Sequence, residues 1–330
     1  ATWMELGAEP MVLETPPNVL GFINDAWFQY VVDFGNAGPD KGQGGKFLIL
    51  PPGYKGEVPE DYHVAKSNTY GHWVVWRGFQ VDGSTKPAIE ATKKNFRMYP
   101  FSQRNSPPEM KFINLSGKSH NTIHRMDFGF WEELNETIQA EPIEGLDPEI
   151  RGLLASIGIE KDKAFAPDER MKGILTDAAK IGSVTARALT ARPRDQRHYL
   201  YPDERVWSNP FIDGRYDFLI DGARLLDSRI YMHFYATGIT PAMAVKNVGK
   251  GSQYAIASLS GTPSKDMSVP IEVSSLSGVA IPSSIGVVIF ILADWLNESV
   301  TPIAIKTTDI ATARNIFFIV VILLMGLKNY

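Results

Sequence analysis

The chain of 330 residues contains no cysteine, which excludes disulfides, thiolate metal sites and a cysteine nucleophile together. It has no long run of Lys and Arg, and its formal net charge of −4 argues against a nucleic-acid-binding surface. No apolar run reaches the roughly 18–20 residues that a transmembrane helix needs, since the two longest cover only residues 286–293 and 316–327. With 44% hydrophobic and 21% charged residues, the composition is that of a globular protein long enough for two domains.

Common nucleotide-binding and hydrolase motifs are also missing. The Gly-rich residues 38–45 lead into Lys46 and Phe47 instead of the Lys-Ser or Lys-Thr of a P-loop. No G-x-G-x-x-G motif opens a helix after a strand, and no G-x-S-x-G elbow is present; Ser116 and Ser260 lie in Leu-Ser-Gly sequences typical of turns. The sequence therefore predicts no cofactor and assembles no catalytic triad.

Both ends of the sequence are unusual. Ala1 is not an initiator, and no basic-then-apolar signal segment precedes the folded pattern, so we expect the chain to begin inside a domain. Residues 267–330 hold only seven charged residues among 64, less than half the charge density of the preceding part. We expect this segment to be an atypical apolar tail, as a frameshifted or foreign continuation would be, rather than a membrane span.

The hydrophobic pattern changes twice along the chain. Residues 1–110 have the pattern of strands and turns, with a β-branched and aromatic run at 73–81. Residues 125–190 have helical periodicity, including a helix start at Asp147 and Pro148. Strands are predicted to return in 192–260, and nearly all the helix is expected between 125 and 190. The predicted elements of this part are strands at 216–220, 228–235 and 253–259, and a short helix at 240–249 that Thr240 caps, Pro241 opens and Gly249 ends.

Two histidines have a metal-like spacing. His120 and His124 lie at i and i+4, with Asp127 nearby in the sequence. Asn121 occupies the place where a metalloprotease helix carries Glu, and a third ligand at a suitable spacing is missing. We therefore expect no metal here and interpret the residues as a polar turn before a helix.

Several polar residues are candidates for a ligand site. Arg77 ends an apolar strand, where it pairs with a carboxylate or recognises an anion. Asp227 and Arg229 flank Ser228, so on a strand they would share one face and form an ion pair. The neighbourhood of the short helix is unusually polar. Its candidate ligand-binding residues are Tyr235, Thr237, Thr240, Lys246, Gln253 and Tyr254.

Residues 223–254 closely resemble the signature of the paired bacterial domains of unknown function 1254 and 1214. Supporting segments are Pro-Gly-Tyr-Lys-Gly-Glu-Val-Pro at 52–59, Phe-Trp-Glu-Glu-Leu at 130–134 and Tyr-Leu-Tyr-Pro at 199–202. The resemblance covers residues 5–265, and the family continues differently both before Ala1 and after Lys265.

This resemblance implies a fold but no reaction. It implies a mainly β fold with a helical insertion (α+β), built from two jelly-roll-like β-sandwich units. The implied domains are an N-terminal sandwich at 1–124, a helical insertion at 125–190 and an incomplete C-terminal sandwich at 191–266, followed by the tail at 267–330. Because such proteins often carry a secretion signal, a periplasmic or secreted location is expected, with which the lack of cysteine agrees.

The sequence supports two functional hypotheses. In the first, the protein binds or acts on a small organic molecule, with an anionic one favoured by the start of the 240–249 helix, in a pocket at the sandwich junction. Lys246 or Asp227 would then be the candidate base. In the second, the protein is a structural or oligomer-forming β-sandwich protein whose polar residues only cap, pair and pack. Neither hypothesis involves nucleic acid or a membrane span.

Overall fold

The computed structural model describes residues 1–7, 9–119, 124–203, 207–236, 238–244 and 256–257. These residues form an α+β fold, as the sequence predicts. The strands are β1 (Thr2–Glu5), β2 (Met11–Thr15), β3 (Val19–Asp25), β4 (Tyr30–Gly35), β5 (Gly45–Leu50), β6 (His63–Lys66), β7 (Gly71–Gly78), β8 (Arg97–Pro100), β9 (Trp207–Ser208), β10 (Leu219–Ile220), β11 (Ala223–Arg224) and β12 (Ile256–Ala257). The α-helices are α1 (Lys86–Asn95), α2 (Gly129–Ala140), α3 (Pro148–Ala155), α4 (Glu169–Ala191), α5 (Leu226–Tyr235) and α6 (Pro241–Ala244).

The first sheet has the strand order β1-β7-β3-β4, and every neighbouring pair is antiparallel. Phe22 at the centre of β3 lies opposite Val75 of β7 on one side and Asp33 of β4 on the other. Successive side chains of a strand point to opposite faces. Each strand therefore sends one row of side chains toward the core and one row away from it.

The second sheet has the order β6-β5-β2-β8 and contains one parallel pair, β5 with β6. Side chains of both sheets form one buried core, which includes Leu13 and Phe47 from the second sheet and Ile23 and Val74 from the first. Phe34 of β4 meets Phe47 of β5 edge to face, with ring centroids 6.0 Å apart. Such a pair stabilises the core beyond the area that it buries.

The helices predicted between 125 and 190 are confirmed as α2, α3 and α4. The apolar stripe of α2 is buried as its spacing requires, with Phe130, Leu134 and Ile138 at most 1% exposed. Trp131 donates its indole N–H to the carbonyl of Leu175 at 2.7 Å, which ties α2 to α4.

The strand predicted at 228–235 is wrong, because these residues belong to helix α5. Their sequence, Ser-Arg-Ile-Tyr-Met-His-Phe-Tyr, is nearly continuous in apolar and aromatic residues, and periodicity alone does not separate a buried strand from a buried helix. With α1 and α5, substantial helix also lies outside residues 125–190, contrary to expectation. The strands described within 191–266 are only two residues long.

Two further predicted elements are present in shortened form. The strand predicted at 216–220 survives as β10, which pairs with β11 across an Asp221-Gly222 turn with positive φ at both residues. The helix predicted at 240–249 begins at Pro241, as expected, and is described as far as Ala244. Residues 245–249 of the predicted helix, and the tail at 267–330, lie outside the described residues.

The described chain divides into two compact units. The first contains the described residues through Ser183 together with Ala236–Thr240, and the second contains Val184–Tyr235 and the described residues from Pro241 onward. Among the helices that the structure describes, none combines the length and the hydropathy needed to cross a bilayer. The domain limits inferred from the sequence remain predictions.

Candidate functional site

The candidate site lies on the face of the first sheet that points away from the core. Ile23, Phe34 and Val74 point into the core, so the residues that alternate with them point to the opposite side. We call this side the outer face. Its central residues are Phe22 and Asn24 of β3, Asp33 of β4, and Trp73, Val75 and Arg77 of β7.

A short segment of distant sequence, Ala236–Thr240, belongs to the first unit and contacts this outer face. The Asn24 side chain donates to the Ile239 carbonyl at 2.7 Å and accepts from the Ile239 N–H at 2.7 Å. It thus bonds Ile239 as a neighbouring strand would. Gly238 packs so closely over the Phe22 ring that a Cβ atom at this position would clash with it.

Asp33 is the titratable residue of this arrangement. Its side chain is buried, with 5% exposed, and Oδ2 accepts a hydrogen bond from the Thr240 hydroxyl at 2.8 Å. Among the described residues, Oδ1 has no hydrogen-bond partner. Burial raises the pKa of Asp33 to about 6, and the hydrogen bond from Thr240 partly opposes this shift.

Trp73 adds a buried donor, because its indole N–H has no acceptor among the described residues. Trp73 lies opposite Asn24 in the β3–β7 register. A buried donor and a buried acceptor atom, both without a partner in the described chain, therefore share the outer face. Such groups are rare in folded proteins, and each requires an explanation.

Arg77 lies on the same outer face, opposite Leu20. Its side chain is exposed and forms no ion pair with a carboxylate of the described chain. Its role as an ion-pair partner or in anion recognition therefore stays a prediction. Strand spacing puts Arg77 about 12 Å from Asp33, two strands across and two residues along. The sheet register of Arg77 and the hydrogen bond of Thr240 to Asp33 thus bring two candidates to one face.

Asp227 and Arg229 do not form the predicted ion pair with each other. They lie on helix α5, where residues i and i+2 do not share a face. Asp227 instead accepts two hydrogen bonds from Arg194, at 2.7 and 2.8 Å, within the second unit. Arg229 is buried, with 3% of its surface exposed.

The other candidates are only partly described. Tyr235 ends α5, and the structure gives its backbone alone. His124 makes an edge-to-face contact with the Phe130 ring at 6.1 Å. Within the described part of the chain, no three His, Asp or Glu side chains cluster as metal ligands would. The predicted site residues that lie outside the described residues are His120, Thr237, Lys246, Gln253 and Tyr254.

The sequence did not reveal two buried polar networks in the first unit. His72 is fully buried, its Nε2 lies 2.7 Å from the Ser67 hydroxyl, and burial lowers its pKa to about 4. The buried Glu141 carboxylate accepts hydrogen bonds from the N–H groups of Tyr70 and Gly71 at 2.6 and 2.8 Å, and burial raises its pKa. Since Glu141 is about 70 residues from both N–H groups, no local pattern predicts this contact.

A third network lies in the second unit. His198 Nδ1 lies 2.8 Å from the carbonyl of Asn209, and its Nε2 lies 3.3 Å from the Ser228 hydroxyl. Burial lowers the pKa of His198, although the hydrogen bond to Asn209 raises it in part. Because His198 and Ser228 are each 1% exposed, this contact joins α5 to the preceding segment.

Comparison with known proteins gives a family match for the first part of the chain. Residues 1–100 match the family model described as "Protein of unknown function (DUF1254)". This confirms the N-terminal half of the resemblance inferred from the sequence. No curated protein matches the chain.

Among solved structures, the chain is similar to the VPA0106 protein from Vibrio parahaemolyticus. The two are 17% identical, with a TM-score of 0.49, over 73% of this chain and 57% of that protein. The present chain therefore spans little more than half the length of this neighbour.

Proposed function

We propose that the protein binds a small organic anion on the outer face of the first sheet, with Asp33 as the central contact. The observation that carries this proposal is the buried Oδ1 atom of Asp33, which has no hydrogen-bond partner among the described residues. A desolvated carboxyl group with a raised pKa is typical of binding and catalytic sites.

The neighbouring groups suggest what such a ligand carries. The exposed guanidinium of Arg77 suits a carboxylate or phosphate, which it binds through two parallel hydrogen bonds. The Trp73 indole N–H suits an acceptor such as a carbonyl oxygen. Because the pKa of Asp33 is about 6, its carboxyl accepts a hydrogen bond when ionised and donates one when protonated. A hydroxy acid or an amino acid has this combination of groups.

The remaining predictions are part of the same proposal. Thr237, Lys246, Gln253 and Tyr254 flank Thr240 in the sequence, and we propose them as additional ligand contacts. The similarity of residues 223–254 to the domain of unknown function 1214, and a periplasmic or secreted location, are proposed with them.

A structural protein without a ligand is the second candidate. The two hydrogen bonds between Asn24 and Ile239, and the Arg194–Asp227 ion pair, favour it, because candidate regions are here occupied by contacts within the chain. In this alternative, Asp33 and Trp73 are only packing residues, and no small molecule stabilises the fold.

A thermal-shift screen of small hydroxy, amino and phosphorylated acids separates the two candidates. A ligand at 100 times its dissociation constant adds about 2.7 kcal/mol to the stability. For the best acid, we expect Asp33→Asn and Arg77→Gln each to weaken binding by about tenfold or more, as loss of a charged hydrogen bond does. Lys94→Gln, on the exposed surface of α1, is the matched control and should bind normally. If no acid raises the melting temperature, or if both site variants bind normally, the structural alternative is favoured.

A further inference from the structure

The docked segment Ala236–Thr240 is bonded to the outer face by hydrogen bonds, and one of them involves a titratable group. Asn24 supplies two hydrogen bonds to Ile239, and Asp33 accepts one from Thr240. Ile239 is 1% exposed and Thr240 is 6% exposed, so both ends of these bonds are buried. Gly238 also packs closely over the Phe22 ring.

We propose that this segment is a proton-controlled latch, which docks tightly on the first sheet when Asp33 is protonated and loosens when Asp33 is ionised. The latch is independent of any ligand, so it does not rest on the proposed function. It gives the outer face a regulated cover, because the same segment contacts the three residues Phe22, Asn24 and Asp33.

The direction follows from the energetics of burying a carboxyl. A docked segment helps to desolvate Asp33, which penalises its charged form, and the hydrogen bond from Thr240 only partly offsets that penalty. When the segment undocks, Asp33 is exposed to water, and its ionised form no longer carries the desolvation penalty. Proton binding and docking therefore favour each other.

Among the residues that the structure describes, few other charges lie near Asp33. Phe22 lies opposite it on β3, and Thr240 faces it from the docked segment. Two titratable side chains are near in the chain: the Tyr30 hydroxyl, which accepts from the Asp33 N–H at 3.0 Å, and Asp40, which accepts from the Gly35 N–H at 2.7 Å. Burial raises the pKa of Asp33 and the hydrogen bond from Thr240 lowers it in part, with no charge–charge contribution beside them.

Hydrogen exchange at the Ile239 N–H is the direct test, because this group donates to Asn24 only in the docked state. Its protection factor, taken relative to the intrinsic exchange rate at each pH, should be about tenfold higher at pH 5 than at pH 7.5. The factor of ten follows from the linkage of docking to Asp33 protonation, with an Asp33 pKa of about 6 in the docked state and about 4 in the undocked state. The N–H of Leu48 in the core of β5 reports global opening and serves as the internal reference.

Two isosteric variants complete the test. Asp33→Asn should abolish the tenfold difference, and Thr240→Val should move its midpoint to higher pH, because the bond that stabilises the charged form is lost. Equal protection of Ile239 at both pH values in the wild type, or a pH dependence that persists in Asp33→Asn, would overturn the latch. Since no ligand is added, failure of the small-molecule proposal leaves this result unaffected.

Discussion

At the residue scale, two buried side chains of the first unit give opposite pH dependences of stability. Burial lowers the pKa of His72 from 6.5 to about 4, so its contribution is complete above pH 6.5 and is lost as the pH falls toward 4. Burial raises the pKa of Asp33 from 3.8 to about 6, so its ionised form costs stability as the pH rises from about 4 to 6. The two effects overlap between pH 4 and 6 and partly cancel in the wild type.

Single substitutions separate these contributions. For His72→Asn, the stability difference from the wild type should shrink by about 3 kcal/mol between pH 7 and pH 4, because only the wild type carries the titrating imidazole. For Asp33→Asn, the variant should gain relative to the wild type as the pH rises from 4 to 7. Urea unfolding at a series of pH values measures both, and parallel pH profiles for wild type and variants would contradict the assignment.

Glu141 is a structural residue whose loss leaves two N–H groups without an acceptor. Glu141→Ala removes the partner of the Tyr70 and Gly71 amides, one part-buried and one buried, and we expect a loss of about 2–4 kcal/mol, since each unsatisfied buried donor costs about 1–3 kcal/mol. Glu136→Ala, on the exposed side of α2, is the matched control and should change stability by less than about 0.5 kcal/mol. A loss for Glu141→Ala no larger than that of the control would show that water replaces the carboxylate.

At the element scale, the sequence predicts a helix or strand well where the spacing of its hydrophobic residues fits only one of the two. The stripe of Phe130, Leu134 and Ile138 identifies α2 because only a helix places them on one face. Residues 228–235 carry no such stripe, and the helix there depends on tertiary contacts such as the one between His198 and Ser228. The sequence likewise does not predict that Arg77 and Thr240 lie on the same face of the first sheet. That placement depends on the strand register and on the contact between Asp33 and Thr240, which are 207 residues apart.

The ion pair at the start of α5 is expected to contribute little to stability. Arg194 and Asp227 bond in a bidentate geometry, but the side chains are 68% and 21% exposed, so solvent and salt screen the attraction. A double-mutant cycle with Arg194→Gln and Asp227→Asn should give a coupling energy of about 0.5–1 kcal/mol at low salt, and less in 0.5 M salt. A coupling above about 2 kcal/mol, or one insensitive to salt, would mean that the pair is better shielded than its exposure indicates.

At the scale of the whole molecule, the first unit is discontinuous in sequence. Its core is formed within residues 1–183, and the family match covers residues 1–100, yet Ala236–Thr240 also belongs to it. The chain leaves this unit within α4, returns for five residues and leaves again at Pro241. Sequence periodicity predicted the β-rich start and the helices after it, but it does not report a five-residue return of the chain, which follows from the bonds at Asn24 and Asp33.

This discontinuity predicts how a fragment of residues 1–183 behaves. The fragment keeps both four-stranded sheets and the buried core between them, so we expect it to fold. It lacks Thr240 and the rest of the docked segment, so the outer face around Asp33 should be open to water and the Asp33 pKa should fall from about 6 to near 4. An NMR titration of the Asp33 carboxyl carbon in the fragment and in the full chain measures both values. A fragment that is folded and still titrates near 6 would mean that the sheet alone desolvates Asp33, which would remove the physical basis of the latch.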